Sequence, residues 1–396
     1  MDIQHLLSDR TRDIKVSGIR RILELGTQLD DPINLSIGQP DFPVPDTIKQ
    51  AAIDAIAQDR NGYTLTQGIP ELRTRIEAHL AHDLGWSFGK ADDPGVMLTS
   101  GTSGALLLAF LILMDPGDEI IIPDPYFVMY PQLAAICGGT AVRCDIYPDF
   151  RMTAELVAPL ITERTKAVLF NSPGNPTGVV ATRAECKDLL ELCRAKGVLL
   201  ISDEIYDAFT FSDGLSDTTA NTPHGNVCPS PARIDAAAAE DVLVIRGFGK
   251  SYGITGWRMG YAAGPKALLA EMAKTQMYTF VCPPSIAQWG CLAAMDADIS
   301  MHVAEYESRR DLVVRTLSPV ASLPVPSGAF YAFVEIPKSL GCTGTEFCER
   351  AIERNLLTIP GGVFSDRDTH IRLSFATRRD KLEQGLGILT DMLTGK

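Results

Sequence analysis

Short apolar runs alternate with longer helical patterns through the middle of the chain. The apolar runs predict strands at 96–99, 119–122, 166–170, 198–202 and 242–246. Helical patterns are predicted between them at 105–114, 153–161 and 182–195. Thr182, followed three residues later by Glu185, has the sequence of a capping box at the start of the last helix. This alternation is typical of βαβ units.

The predicted strand at 198–202 is apolar almost throughout, which indicates a sheet that is covered on both faces. The sequence therefore predicts an α/β fold whose large domain has three layers, α/β/α, around a mostly parallel sheet. After residue 290 the pattern changes to a smaller α+β unit. Its predicted elements are a helix at 297–317, a strand at 329–335, a helix at 344–355 and a strand at 370–375.

The chain of 396 residues is longer than one hydrophobic core usually supports, so we expect two domains. The predicted division assigns residues 47–290 to the large domain. The N-terminal segment 1–46 and the C-terminal segment 291–396 are expected to form the small domain together. Residues 212–240 are rich in Gly, Ser, Pro, Thr and Asp, then Ala, and are predicted to form a long exposed loop.

An unusual polar or glycine-rich segment follows each of the five predicted strands. In an open α/β sheet, ligands bind outside the carboxyl ends of the strands. We therefore expect the five segments to converge on one edge of the sheet and to form a site. They are SGTSG at 100–104, PDPYF at 123–127, NSPGNPTG at 171–178, DEIY at 203–206 and GFGKSYGITGWR at 247–258.

Each segment taken alone also has an ordinary structural interpretation. SGTSG is a good helix start, NSPGNPTG is built from turn residues, and Lys250 between glycines resembles a solvated loop lysine. Gly247, Gly249 and Gly253 loosely mimic a dinucleotide fingerprint, but their spacing is GxGxxxG and a lysine lies within it. A nicotinamide-dependent oxidoreductase is therefore the weakest alternative.

The charge of the chain indicates the class of partner, and its cysteines indicate the redox state of the thiols. A formal net charge of −13 and a pI near 5.0 argue against binding of nucleic acid and of an anionic membrane surface, so a small molecule is the expected partner. Nine cysteines without a CxxC pair predict reduced thiols and no metal site. The N-terminal stretch lacks the pattern of a signal peptide, and we expect a cytoplasmic protein.

Eight motifs, in order along almost the whole chain, resemble the class I aminotransferases. This is the aspartate aminotransferase family of fold-type I enzymes, which depend on pyridoxal phosphate (PLP). The resemblance implies that the large domain binds PLP. The motifs are SIGQPDFPVP (36–45), YTLTQGIPELR (63–73), TSGTSGAL (99–106), NSPGNPTG (171–178), SDEIY (202–206), GKSYGITGWRMGY (249–261), PSGAFYAF (326–333) and IRLSFA (371–376).

The resemblance implies a catalytic set of Lys250, Asp203 and Tyr206. Lys250 would hold the cofactor as a Schiff base and later move the proton between substrate and cofactor. Asp203 would keep the pyridine nitrogen protonated, so that the ring acts as an electron sink. Asn175 and Tyr206 would donate hydrogen bonds to the phenolic oxygen of the cofactor. Tyr130 matches a partner of that aspartate.

Other family positions imply how the remaining parts of the cofactor are held. Arg258 would bind the phosphate, and Phe127 would stack on the pyridine ring. Tyr63 would reach the phosphate from the other subunit, which implies a homodimer with shared active sites. The helix-start residues that match the family's phosphate-binding loop are Gly101, Thr102 and Ser103.

Arg372 would bind the substrate α-carboxylate through its planar guanidinium, with Gly38 and Asn175 as further substrate contacts. The implied reaction is a ping-pong transfer of an amino group between an L-amino acid and a 2-oxo acid. Two alternatives stay open on the same resemblance. They are another PLP reaction, such as a β-eliminating carbon–sulfur lyase, and a catalytically inactive PLP-sensing regulator.

The identity of the substrate stays open at this point. Ser103 stands where some relatives that prefer acidic substrates carry Lys, and Tyr278 and Phe280 are expected near the distal pocket. These residues favour a substrate with an apolar or aromatic side chain. A cation from the partner subunit would reverse that preference, so acidic, aromatic and aliphatic substrates all remain possible.

Overall fold

The computed structural model describes residues 3–14, 18, 22, 24, 26, 27, 29–215 and 228–396. Most of the predicted loop at 212–240 is therefore described. Its residues 216–227 lie outside the described part of the chain. Its second part is not an exposed loop, because Cys228, Ser230 and Ala232 are buried and Ala238–Asp241 is helical. Apolar packing of this segment against the large core explains the difference.

Twelve strands are present among the described residues. In chain order they are β1 (Ile33–Asn34), β2 (Gly95–Ser100), β3 (Glu119–Asp124), β4 (Thr140–Asp145), β5 (Thr165–Asn171), β6 (Leu199–Asp203), β7 (Val242–Gly247), β8 (Met259–Gly264), β9 (Tyr331–Glu335), β10 (Leu356–Leu357), β11 (Ile359–Pro360) and β12 (His370–Ser374).

Seven of these strands form the central sheet, in the order β2-β8-β7-β6-β5-β3-β4. Strand β8 runs antiparallel to both of its neighbours, and the other four pairings are parallel. The mostly parallel sheet is thus confirmed, and all five predicted strands belong to it. Strands β4 and β8 were not predicted. Strand β8 has the sequence MGYAAG, in which glycine and alanine replace the expected β-branched residues.

The helices with described bounds lie around this sheet and around the smaller unit. In chain order they are α1 (Asp9–Asp13), α2 (Asp46–Ala57), α3 (Pro70–Leu84), α4 (Gly101–Leu113), α5 (Met129–Ile136), α6 (Ala154–Val157), α7 (Arg183–Lys196), α8 (Ala238–Asp241), α9 (Phe248–Ser251), α10 (Lys266–Thr279), α11 (Ser285–Ala294), α12 (Ser300–Leu317), α13 (Gly344–Glu353) and α14 (Arg379–Leu393).

Alternate residues of the central strands are buried in two different cores, which shows that both faces of the sheet are covered. Leu98 of β2 and Ile121 of β3 belong to one core, whereas Met97 and Ile120 belong to the other. This is the three-layer α/β/α arrangement that the sequence predicts.

Of two helix predictions, the capping box of α7 is present and the length expected for α6 is not. The capping box of α7 is confirmed: the Thr182 side chain accepts a hydrogen bond from the backbone N–H of Glu185, whose carboxylate accepts one from the N–H of Thr182. The helix predicted at 153–161 is shorter than expected. Helix α6 ends at Val157 and gives way to a 3-10 turn that contains Pro159, whose ring lacks the N–H that a longer helix needs.

A smaller unit is built from both ends of the chain. Strands β11, β12 and β9 form an antiparallel sheet, and β1 pairs in parallel with β10. Ile33 and Leu35 pack in the same core as Phe330 and Leu373, so the N-terminal segment joins the C-terminal elements. The division of the chain at residues 46 and 290 stays a prediction. Within the described part of the chain, no helix combines the length and apolarity needed to cross a membrane.

Candidate active site

A cavity of about 290 Å³ lies at the sheet edge where strands β2, β3, β5, β6 and β7 end. All five polar segments that follow these strands contribute to its lining. Tyr63 does not line it, and this residue is 89% exposed. The other eleven site residues expected from the sequence do line it: Gly38, Gly101, Thr102, Ser103, Phe127, Asn175, Asp203, Tyr206, Lys250, Arg258 and Arg372.

Lys250 lies in the four-residue helix α9, directly after strand β7. Its amine donates a hydrogen bond to the backbone carbonyl oxygen of Gly38 at 2.5 Å. Burial, followed by the positive charges of Arg372 and Arg258, lowers the pKa of Lys250 to about 8. Roughly a tenth of this amine is therefore neutral at pH 7, and the neutral form is the one suited to nucleophilic attack and to proton transfer.

Asp203 is the last residue of strand β6 and is only 2% exposed. The Tyr130 hydroxyl donates a hydrogen bond to its Oδ2 atom at 2.7 Å, as expected for a partner of this aspartate. Burial raises the pKa of Asp203 to about 6, although hydrogen bonds from Tyr130 and from the backbone N–H of Ile205 oppose the shift. A buried carboxylate whose donors are neutral would favour a cationic group placed beside it.

Gly101 and Arg258 form one corner of the cavity, at the start of helix α4. Gly101 has a φ of +69°, and a Cβ at this position would lie 2.7 Å from the Arg258 guanidinium, so glycine permits their close approach. Arg258 donates hydrogen bonds to the Ser103 hydroxyl at 3.3 Å and to the Thr255 carbonyl oxygen at 3.2 Å. An arginine beside a helix N-terminus is a suitable site for a phosphate group.

Asn171 holds the segment that follows strand β5 in place. Its side-chain amide donates to the carbonyl oxygen of Asp203 at 2.9 Å, and its amide oxygen accepts from the backbone N–H of Asn175 at 3.0 Å. Asn171 opens the NSPGNPTG segment, but no role for it was predicted from the sequence. Its function in the fold is to join the ends of β5 and β6, and this fixes the position of Asn175.

Arg372, on strand β12, is 2% exposed and has no carboxylate partner among the described residues. One guanidinium nitrogen donates to Asn175 Oδ1 at 3.1 Å, and the other donates to the Ser36 carbonyl oxygen at 2.8 Å. Its Nε atom is buried without a hydrogen-bond partner in the described structure. A buried arginine with free donor capacity is suited to binding a carboxylate.

Tyr206 and Tyr331 form a buried pair on the side of the cavity near Arg372. Their hydroxyl oxygens are 2.9 Å apart, and the Arg372 guanidinium carbon lies 4.4 Å from the centre of the Tyr331 ring. Tyr206 was expected in the site from the sequence, whereas Tyr331 was not. The motif PSGAFYAF contains Tyr331, but its contact with Arg372 arises from the pairing of β9 with β12, which one sequence does not reveal.

Aromatic side chains near the cavity divide into lining and exposed positions. Phe127 lines the cavity and meets Tyr130 edge-on, with ring centres 5.6 Å apart. Tyr278 and Phe280, expected near the distal pocket, do not line this cavity. The Tyr278 side chain is 84% exposed, so within a single chain it forms no wall of the site.

Comparisons with known proteins identify the family of the chain. A family model described as "Aminotransferase class I and II" matches residues 30–389. A probable aspartate aminotransferase of Methanocaldococcus jannaschii is 34% identical, with 98% of this chain and 100% of that protein covered. An aromatic-amino-acid aminotransferase of Thermococcus litoralis is 31% identical, with 98% of this chain and 99% of that protein covered.

The fold has close counterparts among solved structures. The aspartate aminotransferase of Thermotoga maritima superposes with a TM-score of 0.88 at 31% identity, covering 98% of this chain and all of that one. The likeness therefore extends over both the large sheet and the smaller unit. This chain belongs to the class I and II aminotransferase family and is a transaminase, which moves an amino group between an amino acid and a 2-oxo acid.

Proposed function

We propose that this transaminase uses pyridoxal phosphate held by Lys250 and takes the α-carboxylate of its substrate on Arg372. The observation that carries the proposal is the convergence, in one cavity, of a lysine whose pKa is lowered to about 8, a buried aspartate and a buried arginine with free donors. Each group suits a different part of the chemistry: the lysine suits attachment of the cofactor, the aspartate suits the ring nitrogen, and the arginine suits the substrate carboxylate.

The residues of the cavity fit this cofactor at three points. The corner formed by Gly101 and Arg258 has the donors and the charge for a phosphate. Asp203, whose pKa burial raises to about 6, is stabilised as an anion by a protonated pyridine nitrogen beside it. Tyr206 and the amide NH₂ of Asn175 are the proposed donors to the phenolic oxygen. The amide oxygen of Asn175 already accepts from Arg372, so its NH₂ group is left to donate.

When bound, pyridoxal phosphate supplies an electron sink for the bonds at the substrate α-carbon and carries the amino group between the two half-reactions. The protein supplies the remaining steps. The Lys250 amine, neutral in part near its pKa of about 8, anchors the cofactor and then accepts and returns the α-proton. Asp203 maintains the charge of the ring nitrogen, and Phe127 provides an apolar surface against the ring.

Arg372 is proposed to orient the substrate for this proton transfer. Its hydrogen bonds to Asn175 and to the Ser36 carbonyl fix the plane of the guanidinium, and the unpaired Nε leaves donor capacity for a carboxylate. Two parallel N–H···O bonds to a carboxylate fix both its position and its orientation. The Gly38 carbonyl oxygen that accepts from Lys250 lines the same cavity as Arg372, so a substrate bound to Arg372 is proposed to present its α-carbon to Lys250.

Specificity for the substrate side chain depends on which cations of the cavity are free to bind it. Lys250, Arg258 and Arg372 are the cationic side chains that line the cavity in the described part of the chain, and each already has a proposed role. Relatives of similar identity carry the names of aspartate and of aromatic-amino-acid aminotransferases. A panel of acidic, aromatic and aliphatic amino donors with 2-oxoglutarate, followed by the absorbance of the bound cofactor, identifies the substrate class.

We also propose a homodimer in which Tyr63 completes the partner's phosphate site. Tyr63 is 89% exposed, and Leu65 nearby is 57% exposed, although their segment is firmly anchored. Gln288 accepts from the backbone N–H of Ile69 at 2.8 Å and donates to the Thr64 hydroxyl at 3.0 Å. An ordered segment that presents an aromatic ring and an aliphatic side chain to the outside is typical of an interface.

We propose a cytoplasmic location because the cysteines are not paired in disulfides. All nine lie in the part of the chain that the structure describes, and all are free thiols. Free thiols in this number are typical of a reducing compartment. Fractionation of cells that produce the protein, with alkylation of the thiols before lysis, tests this proposal.

Two variants test the proposed site. Lys250→Ala is expected to bind the cofactor with its free-aldehyde absorbance and to lose turnover. Arg372→Leu is expected to keep the cofactor and to lower kcat/KM for amino donors by about 100-fold or more, as for a lost charged pair in a buried site. Wild-type turnover in Lys250→Ala, or unchanged kcat/KM in Arg372→Leu, would show that the assignment is wrong.

A further inference from the structure

Tyr331 connects two parts of the site that have separate roles. Its hydroxyl lies 2.9 Å from the hydroxyl of Tyr206, and its ring lies 4.4 Å from the guanidinium carbon of Arg372. Tyr331 is 1% exposed and Tyr206 is 4% exposed, so the contacts are made away from water. One side chain therefore contacts both the proposed donor to the cofactor and the proposed carboxylate site.

The position of Tyr331 follows from the register of the small sheet. Strand β9 pairs with β12 so that Phe333 is opposite Arg372 and Tyr331 is opposite Ser374. Residues two apart on a strand share a face, so Tyr331 is the diagonal neighbour of Arg372 on that face. Phe364 lies 4.8 Å from the same guanidinium carbon, so Arg372 is in contact with two aromatic rings.

The hydroxyl pair has a defined direction once Tyr206 donates to the cofactor. Burial raises the pKa of both tyrosines, so each hydroxyl keeps its proton. Tyr206 has a single proton, and its donation to the phenolic oxygen leaves the Tyr206 oxygen as an acceptor. Tyr331 is then the donor to that oxygen. Donors in series polarise one another, which strengthens the terminal bond.

We propose that Tyr331 is a positioning residue with two separable roles. Its hydroxyl strengthens the hydrogen bond that Tyr206 donates to the phenolic oxygen of the cofactor, and its ring supports the Arg372 guanidinium that binds the substrate carboxylate. This inference rests on the proposed function of Lys250, Tyr206 and Arg372, and extends it to a residue for which the sequence predicted no role.

Tyr331→Phe tests the hydroxyl alone, because it removes the hydroxyl and keeps the ring that contacts the Arg372 guanidinium. Weaker donation to the phenolic oxygen raises the proton affinity of the neighbouring cofactor nitrogen. We expect the spectroscopic pKa of the bound cofactor in the holoenzyme to rise by on the order of half a unit. KM for the amino donor is expected to stay unchanged.

Tyr206→Phe provides the matched comparison for the hydroxyl. It removes the direct donor, so its spectroscopic pKa should rise further than that of Tyr331→Phe. Because Tyr331 is proposed to act through Tyr206, the double variant should titrate like Tyr206→Phe alone. An unchanged midpoint in Tyr331→Phe, or shifts that add in the double variant, would overturn the proposed role of the hydroxyl.

Tyr331→Leu removes the ring as well. Loss of the cation–π contact is expected to raise KM for the amino donor by roughly 3- to 30-fold relative to Tyr331→Phe. Phe364→Leu, which removes a ring without a hydroxyl, should raise KM and leave the spectroscopic pKa unchanged. Equal KM values in Tyr331→Leu and Tyr331→Phe would overturn the role of the ring.

The readouts separate failure of this inference from failure of the proposed function. If wild-type protein forms no cofactor adduct at Lys250, the proposed function fails. If the adduct forms and titrates normally but is insensitive to Tyr331→Phe, the inference about Tyr331 fails alone. Circular dichroism of each variant identifies loss of folding, and the Tyr331→Phe and Phe364→Leu results decide the question if Tyr331→Leu does not fold.

Discussion

The Tyr331 hydroxyl fills the space that a side chain on residue 38 would need. A Cβ on Gly38 would overlap the hydroxyl oxygen and lie 3.3 Å from the ring carbon that bears it. The Gly38 carbonyl oxygen also accepts the hydrogen bond of Lys250. Glycine is thus required here by the close approach of a buried aromatic residue. A side chain at position 38 is expected to disturb both Tyr331 and the carbonyl oxygen that holds Lys250.

Gly38→Ala is expected to lower kcat/KM by about tenfold or more, because the added methyl group displaces the Tyr331 hydroxyl or the backbone that contacts Lys250. Removing the obstructing oxygen should relieve the clash. The double variant Gly38→Ala/Tyr331→Phe is therefore expected to be more active than Gly38→Ala. Steady-state kinetics of the two single variants and the double variant measure this coupling, and purely additive losses would contradict it.

The sequence predicts the parts of this site that lie on single segments. Lys250, Asp203 and Asn175 follow apolar strands, so their convergence at one edge of the sheet is predictable from strand–helix alternation. Tyr331 was missed because its contacts depend on the register between β9 and β12, which are separated along the chain by residues 336–369. Asn171 was missed because its bonds join two neighbouring strand ends.

The same limit applies to the fold. The five predicted strands are apolar runs of the type that buried parallel strands require, and all five are present. Strand β8 was missed because its glycines have a packing role: a Cβ on Gly260 would lie 2.7 Å from the backbone of Gly101 and Thr102. The close contact of β8 with the start of α4 thus removes the β-branched residues by which a strand is predicted.

The pH dependence of cofactor capture should report the state of Lys250. Only the neutral amine attacks the aldehyde, and the pKa of Lys250 in the protein without cofactor is lowered to about 8. The rate of capture by apo-protein is therefore expected to rise with pH and to level off above a midpoint near 8. Stopped-flow absorbance after mixing with pyridoxal phosphate measures the profile.

Arg372→Met should move this profile to higher pH. The positive charge of Arg372 is the larger of the two charges that lower the Lys250 pKa, so its removal raises that pKa and slows capture at pH 7. Arg379→Met, an exposed arginine on α14, is the matched control and should leave the midpoint unchanged. A midpoint that stays in place or falls in Arg372→Met would contradict the electrostatic argument.

In the protein without cofactor, the ionised and buried Asp203 carboxylate is expected to lower the free energy of unfolding. Its pKa rises from an ordinary 3.8 to about 6 on folding, so the folded state binds the proton more tightly than the unfolded state. Stability is then lost as the pH rises from about 4 through 6, by about 3 kcal/mol in total for a shift of about two units. Asp203→Asn carries no charge and avoids this cost.

Urea unfolding of the apo-proteins at two pH values tests the cost of the Asp203 charge. At pH 8, Asp203→Asn should be more stable than wild type by about 2–3 kcal/mol, and the gain should disappear near pH 4. Tyr130→Phe should be less stable than wild type at pH 8, because it removes the hydrogen bond that favours the carboxylate. Equal stabilities of Asp203→Asn and wild type at pH 8 would contradict the prediction.

Hybrid dimers can decide whether Tyr63 acts on the site of its own chain or on that of the partner. Tyr63 is 89% exposed and does not line the cavity of its own chain, so we expect it to act across the interface. Lys250→Ala and Tyr63→Ala proteins, mixed and refolded together, form hybrids. If Tyr63 acts across the interface, one site of each hybrid carries both defects and the other site carries none.

The expected result is recovery of turnover on mixing, at one intact site for each hybrid dimer, although the Lys250→Ala parent is inactive and the Tyr63→Ala parent is weakened. Mixing Lys250→Ala with Arg372→Leu is the matched control. Both of these residues line the cavity of their own chain, so every site of that hybrid keeps one defect and turnover should not recover. Affinity tags on the two chains isolate the hybrids. A hybrid with no activity beyond that of its parents would place Tyr63 in the site of its own subunit and refute the shared active site.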